Sequence, residues 1–93
     1  MREERRLVSL RRRVPASRRA RYAELWSALE ADAREAGTHA WRFASSRDGD
    51  LRLEFLEFRA NADPRARDVT RRILSELDGD VAVADVEEWV EAG

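Results

Sequence analysis

The chain has 93 residues and a mass of 10.8 kDa. That is room for one domain at about 100–200 residues per domain, and a domain this small hides only a little over ~60% of its unfolded surface from water. Its 18 basic residues, all arginine, face 19 acidic ones, so the net charge of −1 supplies no global field for nucleic acid, and the absence of cysteine excludes a disulfide framework, a thiolate metal site and a cysteine nucleophile.

No apolar run approaches the ~20 residues that span a bilayer, and the opening residues MREERRL carry no apolar core of the signal-peptide kind. The expectation is a cytoplasmic protein without a membrane or nucleic-acid partner, organised as a single domain over 1–93 with residues 1–5 as a disordered tail. Arginine without lysine suits bidentate recognition of phosphate or carboxylate, and GC-rich coding produces the same bias.

In chain order, LVSLRRRV (7–14) alternates as a strand, with Val8, Leu10 and Val14 on one face and Leu7, Ser9, Arg11 and Arg13 on the other. Three successive arginines suit a strand whose later half meets solvent or acidic partners, and Glu54 and Glu57 are such partners. Pro15 ends the strand. With Ser17 as N-cap, a helix runs to about Ala36, where Gly37 stops it. Tyr22, Leu25, Trp26, Leu29, Ala33 and Ala36 form its apolar stripe. Arg18 and Arg19 in its first turn oppose the helix dipole, and with Arg13 upstream they form a candidate anion-binding cluster, although a solvated face with Glu partners is the simpler reading.

Thr38 to Arg59 reads as a β-hairpin turning at Asp48-Gly49, a pair suited to a two-residue type I′ turn. That turn sets Trp41 opposite Leu56 and His39 opposite Phe58 on one face, and Arg42 opposite Phe55 on the other. Both faces are substantially apolar. Asp63 and Pro64 open a second helix with Ala66, Val69, Ile73 and Leu77 as its stripe, and the Asp78-Gly79-Asp80 turn closes it. The last segment, VAVADVEEWVEAG, reads either as a strand, with Val81, Val83 and Trp89 sharing one parity, or as a helix with Val86, Trp89 and Val90 on one patch. A strand is favoured because it completes the sheet.

The order strand, helix, strand, strand, helix, strand is the ferredoxin-like βαββαβ arrangement, an α+β fold with a four-stranded antiparallel sheet and both helices on one face. Two helices cover one sheet face only. The other, with Trp41, Phe43, Leu56 and Phe58, would expose an apolar patch of interface size, and a second copy would bury it.

Val14-Pro15-Ala16-Ser17, the helix start Tyr22-Ala23-Glu24-Leu25-Trp26, Ala36-Gly37-Thr38-His39-Ala40-Trp41 and the long hairpin together resemble the dimeric α+β barrel superfamily, in its antibiotic-biosynthesis-monooxygenase-like subgroup. The resemblance covers about the whole chain through pattern rather than invariant residues. It implies a homodimer whose sheets face each other, a pocket between sheet and helices, and activities that in such families include cofactor-free oxygenation of polycyclic aromatics, haem degradation and small isomerisations. The haem-degrading pattern combines Asn, Trp and His around the pocket, and the sole Asn here is Asn61, after the hairpin, so those roles do not carry over.

For a ligand pocket, Tyr22, Trp26, His39 and Phe55 are the candidates, although a core stripe and an interface-edge histidine account for them as well. The sequence holds no metal-spaced cluster, phosphate loop or nucleophile elbow, so no cofactor is expected. Two functions compete: a homodimer binding a small hydrophobic or aromatic ligand with cofactor-free monooxygenase-like activity, and a non-catalytic interaction module docking partners on its arginines. An RNA platform would need the RNP consensus, which is absent.

Overall fold

The computed structural model describes residues 4–92. Strand β1 (Arg5–Arg13) leads through a short 3-10 turn (Ala16–Arg18) into helix α1 (Arg19–Ala36); β2 (His39–Ala44) and β3 (Leu51–Arg59) follow, then two 3-10 turns, helix α2 (Asp68–Asp80) and β4 (Val83–Val90). The four strands form one antiparallel sheet in the order β2-β3-β1-β4, with both helices on one face, the ferredoxin-like α+β arrangement expected.

Of the expected tail, residues 1–3 lie outside the described residues, but Arg5 already pairs with Arg59, and the Ala60 amide donates to the Glu4 carbonyl. Helix α1 buries Tyr22, Leu25, Trp26, Leu29 and Ala33, five of the six stripe positions. Its N-terminus departs from expectation. The chain enters through the 3-10 turn, with the Arg18 amide bonded to the Pro15 carbonyl, and no side chain caps α1. At the other end Gly37 takes φ 73°, a left-handed conformation that costs glycine nothing and closes the last turn.

The hairpin turn is the main correction. Neither Asp48 nor Gly49 adopts positive φ, so the type I′ turn does not form. Residues 46–50 make a longer loop, in which Ser45 Oγ accepts the amides of Arg47 and Asp48, and Asp48 Oδ1 accepts that of Asp50. Pairing shifts by one residue: Trp41 faces Phe55, Phe43 faces Leu53, and His39 faces Glu57. Because side chains alternate along a strand, that single step exchanges the two faces of β3 relative to β2. Leu56 and Phe58, expected at a dimer interface with Trp41 and Phe43, are therefore buried beneath the helices, beside Val8. Phe55, expected under the helices, stands on the open face.

Helix α2 also differs in detail. Asp63 caps a 3-10 turn beginning at Pro64, and the α-helix starts only at Asp68. Its inward stripe is Thr70, Ile73, Leu74 and Leu77, with Val69 exposed. Thr70 faces inward because its hydroxyl donates to the buried carboxylate of Asp32 on α1, which also takes an Arg67 bond at 2.9 Å. The C-terminal segment is a strand, as favoured. A bulge between Ser9 and Arg11, with Asp85 at φ 51°, breaks its alternation. Val83 consequently pairs with Arg12 and Trp89 with Leu7, so residues of one parity lie on opposite faces.

Candidate functional site

Beneath the helices, Tyr22 and Trp26 lie one turn apart on α1, both buried against the sheet. The space they border is filled. The cavity left among Leu10, Trp26, Leu29 and Leu74 measures about 10 Å³, the size of one water at most. The pocket expected from Tyr22, Trp26, His39 and Phe55 is thus divided. The first two belong to the packed interior. His39, exposed at the edge of the sheet, stacks on Trp41 at 5.6 Å, and Phe55 meets Phe43 edge to face at 6.0 Å, both on the far side of the sheet. For Phe55 the cause is the register shift, whereas His39 shares the Trp41 face in either register.

What occupies the interior instead is a buried polar cluster. Arg12, 1% exposed, donates from Nε to both Glu54 oxygens at 2.9 and 3.0 Å, and from Nη1 to Asp78 at 2.8 Å and the Val81 carbonyl at 3.3 Å. The Tyr22 hydroxyl donates to the second Glu54 oxygen at 2.6 Å. Burial, and then the bond to Glu54, push the Tyr22 phenol well above its ordinary value, so it stays a neutral donor through physiological pH. The Arg42 guanidinium covers the Tyr22 and Trp26 rings at 5.3 and 5.8 Å. The sequence flagged Glu54 as a partner for the strand arginines. The hairpin reading already set Arg42 on the face toward the helices, but its cover over the two rings had no sequence signal, since it depends on how α1 crosses that face.

The candidate anion cluster is already neutralised. Arg13 pairs with Asp48 at 2.8 Å, Arg18 with Asp80 at 3.2 Å and Arg19 with Asp50 at 2.8 Å. An incoming anion would have to displace a carboxylate from each. Among the described residues no group of three or more His, Asp or Glu is placed to hold a metal ion, and no helix is long and apolar enough to cross a membrane.

The open face of the sheet is the remaining feature. Trp41, Phe43 and Trp89 are 43%, 57% and 51% exposed, and Leu7, Leu51, Leu53 and Phe55 lie half-buried among them. Trp89 was not singled out as part of this face in the sequence. The bulge turns it there, and its indole donates to Ser9 Oγ at 3.0 Å.

Solved structures share this architecture. A conserved protein of unknown function from Bacteroides thetaiotaomicron, described as a possible oxidoreductase, superposes with a TM-score of 0.81 at 15% identity over 97% of this chain and 100% of its own. An antibiotic biosynthesis monooxygenase matches at 0.71 and 11% identity over 96% of this chain and 97% of its own. SnoaB, a cofactor-independent oxygenase from Streptomyces nogalater, matches at 0.72 and 13% identity over 99% and 94%. The chain shares the fold of these proteins. No protein-family model matches the sequence, and no curated protein resembles it significantly. At these identities the likeness to the monooxygenases is one of backbone path.

Proposed function

We propose that this protein is a self-pairing subunit that joins a second copy through its open sheet face and acts on a small hydrophobic or aromatic ligand by cofactor-free, monooxygenase-like chemistry. The observation that carries the reading is the run of exposed aromatics, Trp41, Phe43 and Trp89, on the face the helices leave bare. Four strands spaced about 4.8 Å apart and rising about 3.3 Å per residue present roughly 500 Å² in projection. A standard interface buries about 800 Å² per partner, so the face is of a size for a small interface. The fold shared with SnoaB and with an antibiotic biosynthesis monooxygenase supports the oxygenase half.

The alternative, partner docking on Arg13, Arg18 and Arg19, is less well supported, because each of those arginines is engaged by an aspartate. Light scattering at tens of micromolar should give twice the 10.8 kDa chain mass. Trp41→Glu combined with Phe43→Glu should give the single mass, and a wild-type protein that is already monomeric there defeats the pairing. For the chemistry, an oxygen electrode with an anthrone as substrate reads the conversion of its ring CH₂ to C=O, one atom of O₂ entering the product and the other leaving as water. Uptake no faster than in buffer removes the oxygenase half and leaves pairing standing.

A further inference from the structure

The open face is uneven. Trp41, Phe55 and Trp89 crowd the end where His39 pairs with Glu57. Toward the other end one row reads Phe43, Leu53, Arg11, Ala84 across the four strands. The surface dips on both sides of Arg11. One recess of about 240 Å³ lies against Phe43 and Leu53, and another of about 440 Å³ lies against Ala82 and Ala84, with Arg11 and Leu51 bordering both. The recess beside Ala82 and Ala84 lies within the range of about 300–1,000 Å³ typical of small-molecule sites, and the one against Phe43 and Leu53 lies just below it.

The bulge in β4 creates this shape. Were the ladder to continue unbroken from Ser9 opposite Glu87, Asp85 would stand directly opposite Arg11. The bulge brings Ala84 there instead and displaces Asp85, whose φ of 51° is the one positive value among the non-glycine described residues. Arg11 Nη1 is left 3.8 Å from the Asp85 carboxylate, beyond hydrogen-bonding distance, whereas Arg13 holds Asp48 at 2.8 Å. Both side chains of the loose pair are more than half exposed. A guanidinium with unspent donors thus stands over an apolar floor, beside a backbone conformation that non-glycine residues seldom adopt.

We propose that this recess binds a small aromatic carboxylate, its ring on Phe43 and Leu53 and its carboxylate held by the Arg11 fork. The inference rests on the ligand-binding reading above and names the ligand class and the site, which lies on the pairing face and which a second copy would enclose between the two sheets. Isothermal titration with 2-naphthoate, and with neutral 2-naphthylmethanol as its counterpart, tests it. Wild-type protein should bind 2-naphthoate saturably and more tightly than the alcohol. Arg11→Gln should weaken 2-naphthoate at least tenfold and leave the alcohol unchanged. Leu53→Ala, which removes part of the apolar floor without altering charge, should weaken both. No saturable 2-naphthoate binding by the wild type, equal binding of acid and alcohol, or an Arg11→Gln or Leu53→Ala variant that binds 2-naphthoate as the wild type does would each overturn the proposal. Light scattering on the same samples separates the readings: a doubled mass without 2-naphthoate binding sinks the recess alone, and binding by a single-mass particle sinks the pairing alone.

Discussion

At the scale of single residues, Arg12 and Glu54 are the pair on which the interior depends. Two charges taken out of water are tolerated here because Glu54 accepts from Arg12 Nε and the Tyr22 hydroxyl, while Arg12 also reaches Asp78 and the Val81 carbonyl. Removing one partner strands the other. Glu54→Leu alone should lower unfolding stability by about 3–5 kcal/mol, since it leaves a buried guanidinium next to a phenol with no acceptor. Adding Arg12→Met should recover most of that loss, because Asp78 is half exposed and water replaces its partner. Urea denaturation of the two variants reads both effects, and a double variant no more stable than Glu54→Leu would refute the account. The sequence already marked Glu54 as a counter-charge for the strand arginines. Which of three successive arginines would meet it depended on the pairing of β1 with β3, which no local pattern specifies.

At the scale of elements, α1 and α2 were legible to different degrees. The stripe of α1 is long and interrupted by few polar residues, so its buried face follows from periodicity. That of α2 is short, and a threonine displaces Val69 from the inward position because the Asp32 carboxylate on α1 needs a donor. The turn ahead of α2 carries a titratable cap: Asp63 accepts from the Arg65 amide at 2.9 Å and from its guanidinium at 2.7 to 3.2 Å. The bond from the Arg65 side chain, and then that from its amide, hold the Asp63 carboxyl below its ordinary range. A carboxyl depressed in the folded state stabilises fully above its unfolded value of about 3.9 and loses that contribution as pH falls through the lower folded value. Asp63→Asn keeps a capping oxygen but cannot titrate. It should cost about 1 kcal/mol or less at neutral pH, and the two proteins should converge in melting temperature once pH falls below the depressed folded value. Parallel acid limbs in thermal scans would show that Asp63 contributes nothing to the acid transition.

At the scale of the whole molecule, the sheet separates two apolar regions of unequal fate. One is sealed by the helices down to a cavity of about 10 Å³, and the other is open to water. If the open face pairs with a second copy, stability is linked to concentration by mass action. Each tenfold rise in protein concentration should then raise the melting temperature by a few degrees, given about 4–8 °C per kcal/mol for a domain of this size. A midpoint independent of concentration from one to one hundred micromolar, together with a single mass in light scattering, would leave Trp41, Phe43 and Trp89 without the partner assigned to them.

The sequence by itself determined the order of elements, the inward stripe of α1, the glycine stop at Gly37 and the conclusion that β3 is apolar on both sides, because periodicity and turn chemistry are local properties. Tertiary structure decided which side of β3 faces the helices. A strand that is greasy on both faces fits either way, so the choice passed to a five-residue loop in place of the two-residue Asp48-Gly49 turn, and the one-residue register shift it brings sent Leu56 and Phe58 inward and Phe55 outward. Tertiary structure likewise placed the bulge at Asp85, since a bulge is a mismatch between two strands and neither strand encodes it alone.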